Sequence, residues 1–94
     1  MAYTDEEVNR IYDRTGGYCF YCRIKLSFKN YGVVGEKGAW EMDHFIPIAR
    51  GGAHQPRNWV PACVSCNTEK SDFLPWQYDP YRFRQRGRNP DNYI

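Results

Sequence analysis

The chain has 94 residues, with 13 basic and 11 acidic side chains giving a formal net charge of +2. A chain this short buries too little apolar surface to be comfortable without a staple beside its core. No apolar run approaches the ~20 residues of a membrane span, which sets a membrane protein aside, and so balanced a charge argues by itself for no class of partner.

Thr4-Asp5-Glu6-Glu7 has the form of a capping box, with Thr4 accepting from the Glu7 amide and Glu7 reaching back. Val8, Ile11 and Tyr12 then recur at helical spacing and Gly16-Gly17 can end the helix, so a first helix is expected over about 4–15. Residues 18–22, YCFYC, make a tight knuckle whose aromatics are expected to pad the core. Three glycines in residues 29–39 mark a loop. Ala39 to Phe45 reads as a strand and Gly51-Gly52 as a turn. Trp59-Val60 reads as a second short strand before Pro61, and a helix opens at the second knuckle and runs to about Lys70. After residue 72, Pro75, Pro80 and Pro90 are expected to keep a basic segment, 73–94, extended. The expectation is one small α+β domain over 1–94, with a core at about 18–72 made of two short strands and a helix.

Cys19-x-x-Cys22 and Cys63-x-x-Cys66 supply the staple. Each knuckle puts two thiolates on one side of a turn, and together they offer the four sulfurs that a structural zinc prefers. Two disulfides in a secreted protein are the alternative. The stretch MAYTDEEVNRIYDRT holds no apolar signal segment, so an intracellular location with reduced thiols is expected.

Charge is uneven along the chain: residues 1–47 carry 6 basic and 7 acidic groups, residues 48–94 carry 7 and 4. Arg82, Arg84, Arg86 and Arg88 recur every second residue. On an extended segment they would share one face, with Tyr81 and Phe83 opposite, as in an arm that tracks phosphates; a disordered basic tail is the alternative.

The ordered set Asp43-His44 at a strand end, Gly51-Gly52, Asn58 before an apolar pair, and Cys63-x-x-Cys66-Asn67-x-x-Lys70 resembles the HNH nucleases of the ββα-metal (His-Me finger) class. The resemblance covers roughly residues 19–72 and departs at Asn67, which stands where the second name-giving histidine would be. It implies a metal-dependent DNA endonuclease with His44 as general base and Asp43 and Asn67 on one divalent ion. Asn58 would hold the loop that orients His44, and the products would be 3′-hydroxyl and 5′-phosphate ends. One such site nicks one strand; cutting both takes a homodimer or two successive nicks.

The chemistry of these side chains agrees. Phosphodiester hydrolysis needs a base, a cation to stabilise charge on the transition state and leaving oxygen, and a means of holding both in line. An imidazole with an unperturbed pKa of about 6.5 is largely neutral at pH 7 and suits the base. The oxygens of Asp43 and Asn67 suit a hard cation, Mg²⁺ or Mn²⁺. Neighbouring strand residues point to opposite faces, so Asp43 and His44 can share a site only where the strand ends or bulges. Lys70, three residues after Asn67, is expected to offer its ammonium to the scissile phosphate, and Arg50 and Arg57 to touch the DNA backbone. Taken alone, Asn58 would be a turn former, and His54 is expected to be a solvent-exposed loop residue. A zinc-stabilised DNA-binding module that does not cut, and a protein-interaction zinc module, are the competing readings.

Overall fold

A computed structural model describes residues 3–88, and side chains as far as residue 84. The first helix, α1, spans Asp5–Asp13 and begins with the expected capping box: Glu7 N donates to Thr4 Oγ1 at 3.1 Å and Thr4 N donates to Glu7 Oε1 at 2.9 Å. Its buried face is Val8 and Ile11, which join Leu26, Trp40, Trp59, Ala62 and Tyr78 in the core. Just beyond the helix, Arg14 Nη1 donates to the carbonyls of Pro56, Arg57 and Trp59 at 3.0 to 3.1 Å. That fork ties α1 to the turn that leads into the second strand.

Strand β1, Trp40–His44, pairs antiparallel with β2, Trp59–Cys63, in a register that sets Trp40 opposite Cys63 and His44 opposite Trp59. β2 does not stop at Pro61 as expected. The Pro61 carbonyl faces away from β1, accepting from Phe20 N at 2.9 Å. In an antiparallel pair a residue's N–H and C=O point the same way, so the hydrogen missing from Pro61 is not one the ladder uses. Helix α2, Val64–Lys70, follows at once, with Cys63 as its N-cap. The unit β1-β2-α2 is the expected two strands and a helix, joined through the glycine-bearing loop between the strands.

The segment after α2 departs from expectation. It is not extended: a 3₁₀ turn at Pro75–Gln77 leads to helix α3, Pro80–Arg88. Asp79 starts that helix, its Oδ1 accepting from Tyr81 N at 3.0 Å and Arg82 N at 3.3 Å. Pro80 therefore stands in the first turn, where its fixed φ and missing N–H favour a helix. Phe83 stacks on Tyr78 at 4.9 Å and Phe73 at 5.9 Å, fastening α3 to the unit. Among the described residues no helix is long and apolar enough to cross a membrane.

Candidate active site and metal centre

The four cysteine sulfurs lie within 4.8 Å of one another, and none is in a disulfide. Four sulfurs about 2.3 Å from a common tetrahedral centre would sit about 3.8 Å apart. Cys22 Sγ and Cys63 Sγ are 3.8 Å apart, so the cluster could hold zinc. Each knuckle also folds a backbone amide onto its first sulfur, Cys22 N onto Cys19 at 3.5 Å and Cys66 N onto Cys63 at 3.4 Å. Hydrogen bonds from Cys63 and Cys66 hold the Cys19 thiol far below its ordinary pKa, and the same bond to Cys19 pushes Cys63 up to about 11. Four thiolates this close ionise together only around a cation. Arg84 Nη2 adds a donor to Cys66 Sγ at 3.0 Å while its Nε faces Glu69 Oε2 at 3.3 Å.

Beside this cluster lies an open cleft of about 250 Å³ whose walls include Asp43, His44, Pro47, Asn67, Ser71 and Asp72. β1 ends at His44, and that ending lets two strand neighbours border one space. Asp43 is buried and His44 half-buried. Tyr21 OH donates to Asp43 Oδ2 at 2.5 Å, and Lys70 Nζ sits 3.2 Å from the same oxygen. Both contacts fall on Oδ2, so neither engages Oδ1. Burial first, and then the charge of Asp43, lift the Tyr21 hydroxyl far above its ordinary range, which keeps it a donor. Tyr21 pads the core as expected of a knuckle aromatic, but its hydroxyl reaches a residue that sequence reading did not connect to it.

Asn58 is buried and fully engaged with one loop. Its Oδ1 accepts from Ile46 N at 2.8 Å, and its Nδ2 donates to Ile46 O at 2.8 Å and Ala53 O at 2.9 Å. Phe45 N donates to the Asn58 carbonyl at 2.9 Å. The loop 46–53, which leaves the strand directly after His44, is thus pinned at both ends by one amide side chain. Gly52 is built into the same clasp: a Cβ there would lie 1.8 Å from Ile46 O.

His54 is exposed, as expected, yet its Nδ1 lies 2.9 Å from His44 Nε2. No local pattern announces the pair, because the two rings meet only when the loop folds back. Burial, and next the neighbouring His54, hold the His44 imidazole below its ordinary pKa, with Asp43 opposing.

The basic residues separate into distinct groups. Lys70 is fully buried, its Nζ shared between Asp43 Oδ2 and the His44 carbonyl at 3.2 Å. Its place is under the strand end, where Asp43 and the His44 carbonyl take up the ammonium and burial closes it to a phosphate. Arg50, Arg57 and Arg82 are exposed, and Arg57 donates to Gln55 Oε1. Arg84 is engaged with Glu69 and Cys66 and does not stand on an extended arm. Arg86 and Arg88 belong to α3, but their side chains lie outside the described residues.

Comparison with known protein families gives a match over residues 19–73, more than half of the chain, to the family described as HNH endonuclease. The match runs from the first zinc-type knuckle to just past α2 and takes in Asp43, His44, Asn58 and Asn67. No curated protein matches the chain significantly.

Proposed function

This chain belongs to the HNH endonuclease family, and from that premise we propose that it is a metal-dependent DNA endonuclease of an H-N-N type, His44, Asn58 and Asn67 occupying the three name-giving positions. The observation that supports this reading is that Asp43, His44 and Asn67, drawn from a strand end and a helix, border one open cleft. His44 is the general base. Its imidazole is neutral at pH 7, held so by burial and by His54, and it takes a proton from the water that attacks phosphorus.

Asp43 and Asn67 would hold one divalent cation, Mg²⁺ or Mn²⁺, through Oδ1 and the amide oxygen, with waters and phosphate oxygens completing the shell. When bound, that ion supplies Lewis-acid stabilisation of charge on the phosphate and the leaving oxygen. Asn58 keeps the loop after His44 in one conformation. A zinc ion held by Cys19, Cys22, Cys63 and Cys66 would be scaffold, since four sulfurs leave no open position. It would fix the start of α2 and hence Asn67. The exposed Arg50, Arg57 and Arg82 contact DNA phosphates. One site nicks one strand, and a double-strand cut takes two nicks or two chains, in an intracellular setting.

The competing reading, a zinc-stabilised DNA-binding module that does not cut, draws on the ion pair that already occupies one oxygen of Asp43. Supercoiled plasmid incubated with Mg²⁺ or Mn²⁺ separates the two. Wild type is expected to nick it and His44→Ala to lose that activity while retaining a salt-dependent gel shift on duplex DNA. Intact plasmid with every divalent ion tried, or equal cutting by His44→Ala, rules out the catalytic assignment.

A further inference from the structure

We infer that His54 is a positioning residue that fixes the ring tautomer of His44, an inference that rests on His44 being the base. The two imidazoles meet through His44 Nε2 and His54 Nδ1 at 2.9 Å, and such a bond needs one N–H and one lone pair. Where His44 donates from Nε2, its Nδ1 carries the lone pair and can accept a proton from water. Where His44 accepts, its Nδ1 already holds the proton and the ring cannot act as a base.

The chemistry of the pair favours the first direction. A neutral histidine side chain in water prefers its proton on Nε2. With His44 Nε2–H donating to His54 Nδ1, both rings keep that preferred form; the reverse direction would put both in the less favoured one. In this arrangement the Nε2–H of His54 is left for solvent, consistent with the exposure of that residue.

The fold holds His54 in place from two sides. Asn58 Nδ2 donates to the carbonyl of the preceding residue, Ala53, at 2.9 Å. The His54 ring packs 5.2 Å from Trp59 and 6.1 Å from Tyr3. Trp59 is also the register partner of His44 across the sheet, so the residue whose ring packs on His54 stands opposite His44 in the ladder. Asn58 thereby acts on the base by two routes, through Ile46 next to the strand end and through Ala53 to His54. A second group fixing the proton on a reactive imidazole is the general device by which a histidine is kept in its working tautomer.

The spectroscopic arm of the test uses the zinc-loaded protein with no added divalent ion, and the plasmid arm adds Mg²⁺. The chain has 2 histidines, so long-range ¹⁵N–¹H spectra at pH 8 read each ring directly, and His54→Ala leaves His44 alone. Wild type is expected to show His44 as a single Nε2–H tautomer and His54→Ala to show a mixture. In plasmid nicking, His54→Ala should lower kcat about 10–100-fold with KM nearly unchanged. His54→Asn, whose Oδ1 falls close to the position of Nδ1 and still accepts, should restore the single tautomer and most of the rate. A wild-type His44 protonated on Nδ1 or mixed overturns the inference, as does an unchanged His44 tautomer in His54→Ala whatever its activity. If the tautomer follows residue 54 while wild-type protein cuts no DNA, the positioning role stands and the nuclease assignment fails.

Discussion

The Lys70 ammonium and the Asp43 carboxylate form a buried ion pair at 3.2 Å, with side-chain exposures of 0% and 7%. Lys70 is the last residue of α2 and Asp43 the penultimate residue of β1. The same ammonium reaches the His44 carbonyl at 3.2 Å, so one side chain grips the strand end at two points. Desolvating both charges offsets much of their attraction, and the pair contributes little net stability against an apolar replacement of both partners. Its consequence is positional: it holds the helix that carries Asn67 against the strand that carries Asp43 and His44.

Removing only the cation should therefore be severe. Lys70→Met keeps the stem but leaves Asp43 buried with Tyr21 as its remaining partner, and breaking a buried pair from one side costs about 3 kcal/mol or more. Urea unfolding of the zinc-loaded variant should show a loss of that size with an unchanged m-value. A loss below about 1 kcal/mol, the range of exposed pairs, would mean that the pair is not desolvated as it is here.

Zinc removal should unfold the unit rather than merely slow it. The knuckles are far apart in sequence, and Cys63 is both a ligand-type sulfur and the N-cap of α2, so loss of the ion frees the start of the helix that presents Asn67. Small cores bury too little to compensate. Protein stripped with a zinc-selective chelator and returned to excess Mg²⁺ should lose its cooperative thermal transition and its nicking activity together. A stripped protein that still melts cooperatively and cuts at the wild-type rate contradicts this.

Gly51 and Gly52 were legible together only as a turn, but they should respond differently to alanine. Gly51 has φ +91° with open space around its missing Cβ, whereas a Cβ on Gly52 would strike the Ile46 carbonyl at 1.8 Å and approach Asn58 Nδ2 at 3.0 Å. Gly51→Ala carries backbone strain of about 1 kcal/mol. Gly52→Ala must displace Ile46 O, the acceptor that Asn58 uses, at about 1–3 kcal/mol for overpacking. With stability corrected for, Gly52→Ala should lose nicking activity and Gly51→Ala should retain it. Equal activity in the two variants would show that the Asn58 clasp tolerates movement.

What the sequence made legible is what local chemistry determines. Thr4 and Glu7 close their capping box whatever the rest of the chain does, and two C-x-x-C knuckles constrain four sulfurs whose place in the fold follows. The strand expected over Ala39 to Phe45 forms over Trp40–His44, one residue shorter at each end. Where the reading failed, one residue type had two physical uses. Pro61 can sit within a strand when its nitrogen faces away from the ladder. Pro80 begins a helix once Asp79 caps it, which turned an expected arm into α3 and set Arg84 against the zinc-type sulfurs. Helical spacing placed Lys70 on the same side as Asn67, but could not say whether that side met solvent or the underside of β1. The contact between His54 and His44 depends on loop closure, and so did not exist in any window of sequence.

The Lys70 pair also bears on when the catalytic ion binds. Asp43 is the one anionic ligand proposed for it, and its charge is already balanced by an ammonium 3.2 Å away; Asn67 contributes none. A site with so little net negative charge holds a divalent ion weakly, and hard cations such as Mg²⁺ are bound through one or two carboxylates together with substrate phosphates. The scissile phosphate should therefore supply the missing charge, so that ion and DNA bind together. Titration of Mn²⁺ into zinc-loaded His44→Ala should give weak affinity alone and at least about tenfold tighter affinity, ~1.4 kcal/mol, with a non-hydrolysable duplex present. By reciprocity, Mn²⁺ should tighten duplex binding by the same factor. With oxygen ligands only, nicking by the wild type should favour Mg²⁺ or Mn²⁺ over Ni²⁺. Equal Mn²⁺ affinity with and without DNA would place the needed negative charge on the protein itself, with the exposed carboxylate of Asp72 in the same cleft the first residue to replace.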